Sequence, residues 1–187
     1  MNYVIITDTH FGHDELEKDC RFPGVSEKMV KSIGSSVPKD GVLVHTGDFC
    51  FGDDHSWHSK FMDRASGYKR RILVVGNHDK KSEHWYLSHG WDFVCTSFTI
   101  ERFGKIITFS HIPIVDSGYD INIHGHFHDF RKEKIMEKEP KIYSILSNKH
   151  YLVSLEKLQY KPVRLEAIIE DFDKGNSTLK VYGLVED

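Results

Sequence analysis

Three stretches in the first half of the chain share one design: a short apolar, β-branched run that stops at a polar cluster. Residues 3–7 (YVIIT) end at Asp8, residues 42–46 (VLVHT) at Gly47 and Asp48, and residues 71–75 (RILVV) at Gly76, Asn77, His78 and Asp79. Continuous apolar runs of this length predict strands buried on both faces. Helices are expected between them. Ser26 can cap one over residues 27–35, its hydroxyl accepting an orphan N–H of the first turn, and another covers part of residues 56–65. Strands alternating with helices predict an α/β fold with parallel strands. In such folds ligands bind beyond the carboxyl ends of the strands, where these polar clusters fall.

The second half reads differently. Residues 93–101 and 105–110 are predicted as strands joined by a tight turn at Phe103 and Gly104, the second running into Ser110 and His111. Residues 120–123 form a short strand before His124, Gly125, His126, Phe127 and His128. The mixed charges of residues 131–141 predict a solvated loop or hairpin tip. Residues 142–146 and 151–155 read as further strands. Pro162 suits the first turn of a helix reaching about residue 172, because its missing N–H is an orphan there in any case. Residues 178–185 alternate as a final strand. No repeat or linker divides the sequence, so one domain over residues 1–187 is expected.

Composition narrows the class. Of 187 residues 39% are hydrophobic and 28% charged, an ordinary soluble globular balance. A chain of this length can bury its core without disulfides. The net charge of −3 gives no basic excess of the kind that marks nucleic-acid binding, although a local patch stays open. Cys20, Cys50 and Cys95 form no CxxC pair and read as free thiols in a reducing cytoplasm. The start, MNYVIITDTH, turns polar too early for a signal peptide, and no apolar run approaches the roughly 20 residues of a membrane span. A cytoplasmic protein with no membrane association and no obligate protein partner is expected.

The 13 histidines are the departure from the ordinary. Asp8 and His10, Gly47–Asp48, the Gly76–Asp79 cluster, His111, and His126 with His128 each follow a predicted strand. Their donors are oxygen and imidazole nitrogen without thiolate, a set suited to Mn²⁺, Fe²⁺, Ni²⁺ or Zn²⁺ and too rich in imidazole for Ca²⁺ or a typical Mg²⁺ site. Asp-x-His and His-x-His place side chains at i and i+2, on one face of an extended segment. Any one of these pieces is weak, since Gly-Asp and Asn serve turns constantly. Together and in this order they point to a metal site.

With these motifs the chain resembles the calcineurin-like metallophosphoesterases, whose pattern is D-x-H, G-D, G-N-H-[D/E], H and G-H-x-H; every element is matched over residues 4–128. The words DTHFGH, GNHD and KPVRLEAI look like a compact prokaryotic or phage-type subgroup, which extends the resemblance over nearly the whole chain. The resemblance implies a four-layer α/β/β/α sandwich. It implies one metal held by Asp8, His10 and His128, a second held by Asn77, His111 and His126, and Asp48 bridging both. His78 is implied as a catalytic residue beside the phosphate rather than a ligand. Asp79 is implied as its partner, able to hydrogen-bond and orient it.

Two divalent cations (Mn, Fe, Ni or Zn, with Mn favoured) roughly 3.5–4 Å apart would then clamp the phosphoryl group and deliver hydroxide in line with the leaving oxygen. His13 and Arg21, in the loop after Asp8, are candidate substrate contacts. A surface salt bridge is the alternative for Arg21, and a structural loop role for His13. His45 reads as a hydrogen-bonded core residue and His124 as a support for the neighbouring ligands. His55, His58, His84, His89 and His150 read as surface or helix residues, and the three tryptophans as packing.

Asp79 in place of Glu, and the lack of an arginine after Asp48, look more like diesterase branches of the family than its protein phosphatases. The expected substrate is a phosphoester, nucleotide-like or a nucleic-acid end. A small-molecule phosphomonoesterase and a non-catalytic scaffold, as in a retromer subunit of similar fold, are the alternatives.

Overall fold

A computed structural model describes residues 1–19, 21–35, 37–130 and 132–181. One sheet holds β1 (Asn2–Ile6), β2 (Gly41–His45), β3 (Arg70–Val74) and β4 (Phe93–Cys95), all parallel, with the two-residue β9 (Val163–Arg164) antiparallel to β1. Its order is β4-β3-β2-β1-β9. The second sheet has the order β5-β6-β7-β8, from β5 (Ser97–Arg102), β6 (Lys105–Ser110), β7 (Ile121–His124) and β8 (His150–Leu152). Phe103 and Gly104 join β5 to β6 with φ values of 55° and 69°, as a two-residue type I′ turn requires. The other neighbours in this sheet are parallel.

Side-chain alternation puts the sheets face to face. Ile5, Val42, Val44 and Val74 share one core with Ile107, Phe109, Ile121 and Ile123 of the second sheet. The intervening residues Val4, Ile6, Leu43 and Leu73 point the other way, into a second core with α2 (Val25–Ser35), α3 (Asp54–Ala65) and α4 (Glu83–Ser88). Burying each such side chain contributes about 1.5–3 kcal/mol. On β8, Tyr151 joins the inner core. Its neighbour Leu152 packs outward with Ile135 of α5 (Lys132–Lys138) and Ile142 of α6 (Pro140–Tyr143). The result is two sheets flanked by helices, the four-layer α/β/β/α sandwich. No helix among the described residues is long and apolar enough to cross a membrane.

Several elements differ from expectation. Residues 93–101 are two strands in different sheets, because the chain leaves the first sheet after Cys95 and enters the second at Ser97. Residues 132–138 and 140–141 are helical rather than a loop, and residues 142–143, the start of the strand expected over residues 142–146, belong to the second of these helices. The lysines and glutamates of residues 132–138 are good helix formers, and Ile135 of α5 and Ile142 of α6 pack in one cluster with Phe127 and Leu152. Residue 131 lies outside the described residues.

In place of the final strand the chain forms α8 (Thr178–Val181), with Ser177 Oγ accepting from Lys180 N at 3.3 Å. The rest of that predicted strand, residues 182–185, lies outside the described residues. Pro162 precedes β9 rather than a helix, and α7 (Leu165–Asp173) starts only after the chain has paired with β1. Ser26 lies inside α2. Its N–H and hydroxyl both donate to Glu17 Oε1, so a carboxylate on α1 (Asp14–Asp19) supplies the cap. Cys50 and Cys95 are free thiols, and Cys20 lies outside the described residues.

Candidate metal centre

The loops after β1 and β2 continue the parallel ladder beyond the sheet. Asp8 N donates to Gly47 O at 2.9 Å, His10 N to Asp48 O at 3.0 Å, Phe11 N to Phe49 O at 3.0 Å and Phe51 N to Phe11 O at 2.9 Å. Asp8, His10 and Asp48 are therefore held by backbone. The loop after β3 joins them through Asp79, whose carboxylate accepts from Gly76 N (2.8 Å), Asp48 N (2.9 Å) and Phe49 N (2.9 Å). His78 N donates to Asp48 Oδ1 at 2.8 Å.

These strand ends bring two sets of side chains together. Asp8, His10 and His128 form one, and Asp48, His111 and His126 the other, with ligand atoms within 4.8 Å of one another in each set. Asn77 joins the second set, its Oδ1 3.0 Å from His111 Nε2. Asp48 Oδ2 lies between the sets, 3.6 Å from His10 Nε2 and 3.2 Å from His111 Nε2. Each set draws on both sheets: Asp8, His10 and Asp48 follow strands of the first, and His111, His126 and His128 follow strands of the second.

The electrostatics favour a cation in each set. Asp8 and Asp48 are 1% and 2% exposed, and their carboxylates face imidazoles. His10 and His128 meet Nε2 to Nε2 at 3.2 Å, a contact that needs a proton or a cation between them, and His10 Nδ1 is buried without a partner. Burial, helped by His128, pushes the His10 pKa down to about 2. Burial also lowers that of His126, helped by His111. Burial alone would lower the pKa of His111, but Asp48 and Asp8 raise it to about 9. Burial disfavours the Asp48 charge, yet His111 and His10 outweigh it and hold the carboxyl below its usual range. Buried carboxylates among nitrogen donors with an unused lone pair fit divalent cations of the imidazole-accepting kind.

A further layer fixes the histidines. His111 Nδ1 donates to Thr46 O at 2.8 Å, which turns Nε2 toward Asp48. His128 Nδ1 lies 3.3 Å from Glu156 Oε1. Arg21 in turn donates to Glu156 from Nε at 3.0 Å and Nη2 at 2.8 Å, and to the carbonyls of Thr9 and Asp8. Burial would raise the Glu156 pKa, but His128 and Arg21 hold it well below the ordinary carboxylate range. Such partners orient a histidine toward a metal and fix its tautomer. Glu156 belongs to no motif, and only the need of buried Arg21 for a counter-charge could have pointed to it.

Glycines make the approach possible. A Cβ on Gly76 would overlap Asp48, and one on Gly125 would overlap Asp8 and Thr7. Asp8, His10, Asp48, His126 and His128 have φ between 44° and 74°, the left-handed region that costs non-glycine residues energy. Strain of this kind gathers at functional sites.

Three expectations for single residues change. Asp79 does not orient the His78 ring, because its carboxylate is occupied by three backbone N–H groups that tie two loops together. Arg21 is neither a surface ion pair nor turned to a substrate: its side chain is 1% exposed and braces the first loop from behind. His150 is neither on the surface nor in a helix but buried in β8, whereas His58 is a helix residue, buried in α3. His45 is a core residue as expected, with Nε2 2.9 Å from Thr9 Oγ1.

The His78 ring is exposed, 5.4 Å from that of His10. His13 Nδ1 accepts from Leu16 N at the start of α1. Cys50, Asp54 and His58 also cluster. The thiol donates to Asp54 Oδ1, His58 Nδ1 donates to Asp54 O, and Lys81 pairs with Asp54 Oδ2, so the cluster reads as a hydrogen-bonded knot.

A family model for calcineurin-like phosphoesterases matches residues 1–178. The chain belongs to this family. The uncharacterized protein MJ1445 of Methanocaldococcus jannaschii is 27% identical to this chain over 182 residues, 91% of each chain. The crystal structure of AQ665, a protein of unknown function from Aquifex aeolicus, is 25% identical at a TM-score of 0.67. It covers 90% of this chain and 98% of its own. The structure of an archaeal phosphodiesterase is 20% identical at a TM-score of 0.45, covering 70% of this chain and 75% of its own. The family is generally dependent on paired metal ions, and the two ligand sets of this calcineurin-like phosphoesterase fold supply two possible sites.

Proposed function

We propose that the protein is a phosphoesterase that hydrolyses phosphodiesters of nucleotide type with two divalent cations, manganese favoured. The carrying observation is the place of Asp48 Oδ2 between two complete nitrogen and oxygen ligand sets. Asp8, His10 and His128 would hold one ion, and Asn77, His111 and His126 the other, with Asp48 shared. When bound, paired divalent cations neutralise phosphoryl charge and make water acidic enough to supply a nucleophile near neutral pH.

The remaining steps belong to the chain. His78, exposed beside His10 with its backbone fixed on Asp48, gives a proton to the departing oxygen. Asp79 keeps the His78 loop and the Asp48 loop in register, so proton donor and ligands move as one piece. Glu156 and Arg21 keep His128 turned inward. Aspartate after Asn77–His78, and the lack of an arginine in residues 49–52 after Asp48, support a diester over a phosphoprotein.

The test is hydrolysis of bis- and mono-(p-nitrophenyl) phosphate and of cyclic nucleotides by Mn²⁺-loaded protein. Preference for the diester is expected. A strong monoester preference would replace the diester reading. Two bound ions with no turnover of any phosphoester would favour a scaffold.

A further inference from the structure

Phe51 is a large apolar side chain 47% exposed, in the same turn as the ligand loops. Its ring stacks on that of His13 with centroids 4.2 Å apart and planes 24° apart. Both rings border the metal centre. His13 lies 5.9 Å from His10, and Phe51 lies 5.8 Å from His78, the residue assigned to the leaving oxygen.

The His13 ring is anchored by Nδ1 accepting from Leu16 N, and the Phe51 backbone by its N–H donating to Phe11 O. Between them Gly12 has φ of 78° and lies against the Trp57 indole, which stacks on Phe11. A flat, apolar face stacked on an anchored ring is thus open beside a site otherwise built of carboxylates and imidazoles. Leaving a phenylalanine half in water gains nothing for the fold. It gains a partner when a planar ring lies over it, because aromatic stacking onto a base tolerates any base and contributes about 1–3 kcal/mol.

We infer that the Phe51–His13 pair is the base-stacking platform of this site, so that the ester group on the His78 side of the phosphate carries a heteroaromatic ring, a nucleobase. This rests on the proposed phosphoesterase reading for the position of the phosphate and adds the residues that select its substituent.

The experiment measures binding rather than turnover, so it does not fail merely because the chosen substrate is not hydrolysed. The Mn²⁺-loaded protein is titrated calorimetrically with the non-hydrolysable phosphonate analogue of adenosine monophosphate and, separately, with ethylphosphonate. The base-bearing probe is expected to bind at least about 10-fold more tightly, within the span of single stacking contacts. Phe51→Leu should erase that preference while keeping the bound Mn²⁺ per chain unchanged, and Phe51→Trp should preserve it. Equal affinity for the two probes, binding of neither, or a preference that survives Phe51→Leu would overturn the inference. Loss of preference in Phe51→Trp as well would reduce Phe51 to a packing role and overturn it too.

Discussion

Glu156 Oε1 sits 3.3 Å from Nδ1 of His128, across the ring from the Nε2 that faces Asp8. The same oxygen accepts from Arg21 Nε and Nη2, and the guanidinium also holds the carbonyls of Asp8 and Thr9. A single buried cation thus steers a candidate ligand from each sheet. Glu156→Gln keeps the shape and removes the charge. Metal affinity at the Asp8–His10–His128 set should fall roughly 10–100-fold, with the other set less affected. Competitive Mn²⁺ titration reads both steps, and unchanged affinities would remove Glu156 from the site.

On the proposed reading, His78 is needed for turnover and not for holding metal. His78→Ala should retain two ions per chain and lower kcat about 10²–10⁴-fold. Elemental analysis beside steady-state kinetics checks this. A variant that loses metal in proportion to activity would make His78 a ligand.

Gly76 is needed for space rather than for an unusual φ. In Gly76→Ala the new methyl meets the Asp48 carboxylate and its backbone N–H. The expected result is a stability loss of about 1–3 kcal/mol, typical of overpacking, together with weaker binding of the second ion. Urea unfolding and metal stoichiometry measure the two effects.

His45 gives the protein a specific acid sensitivity. It is fully buried, and burial, with the nearby His111 and His58, lowers its pKa from 6.5 to about 3. Between those values the unfolded chain takes up a proton that the folded chain refuses, so this residue makes stability fall as pH falls. The slope approaches about 1.4 kcal/mol per pH unit within that window and vanishes on either side of it. Unfolding free energies at pH 7, 6 and 5 should drop less steeply for His45→Gln than for the parent. Parallel slopes would mean that His45 is protonated in the fold.

Much of the candidate site was legible because ligand chemistry restricts residue type and each candidate ligand follows a strand. Asp8, Asp48 and His111 could be found from the end of an apolar run. The supporting layer was not legible. Glu156 lies 28 residues beyond His128 in a segment without a motif, and only the fold brings it under the ring. Asp79 is visible in the sequence but its partners are not, since adjacency to His78 says nothing about which backbone N–H groups its carboxylate meets.

In the fold, the buried first-half strands were clear from continuous apolar runs. The later errors arose where a short apolar stretch fits either period. Ile142 serves a helix, and residues 93–101 serve two sheets, because neighbours distant in sequence decide.

Because both ligand sets combine residues from the two sheets, neither half of the chain owns a complete coordination shell. An ion in either place is therefore a clasp across the sandwich as much as a reagent. Chelation should loosen the seam between the layers, and heat should find the stripped protein easier to pull apart than the loaded one.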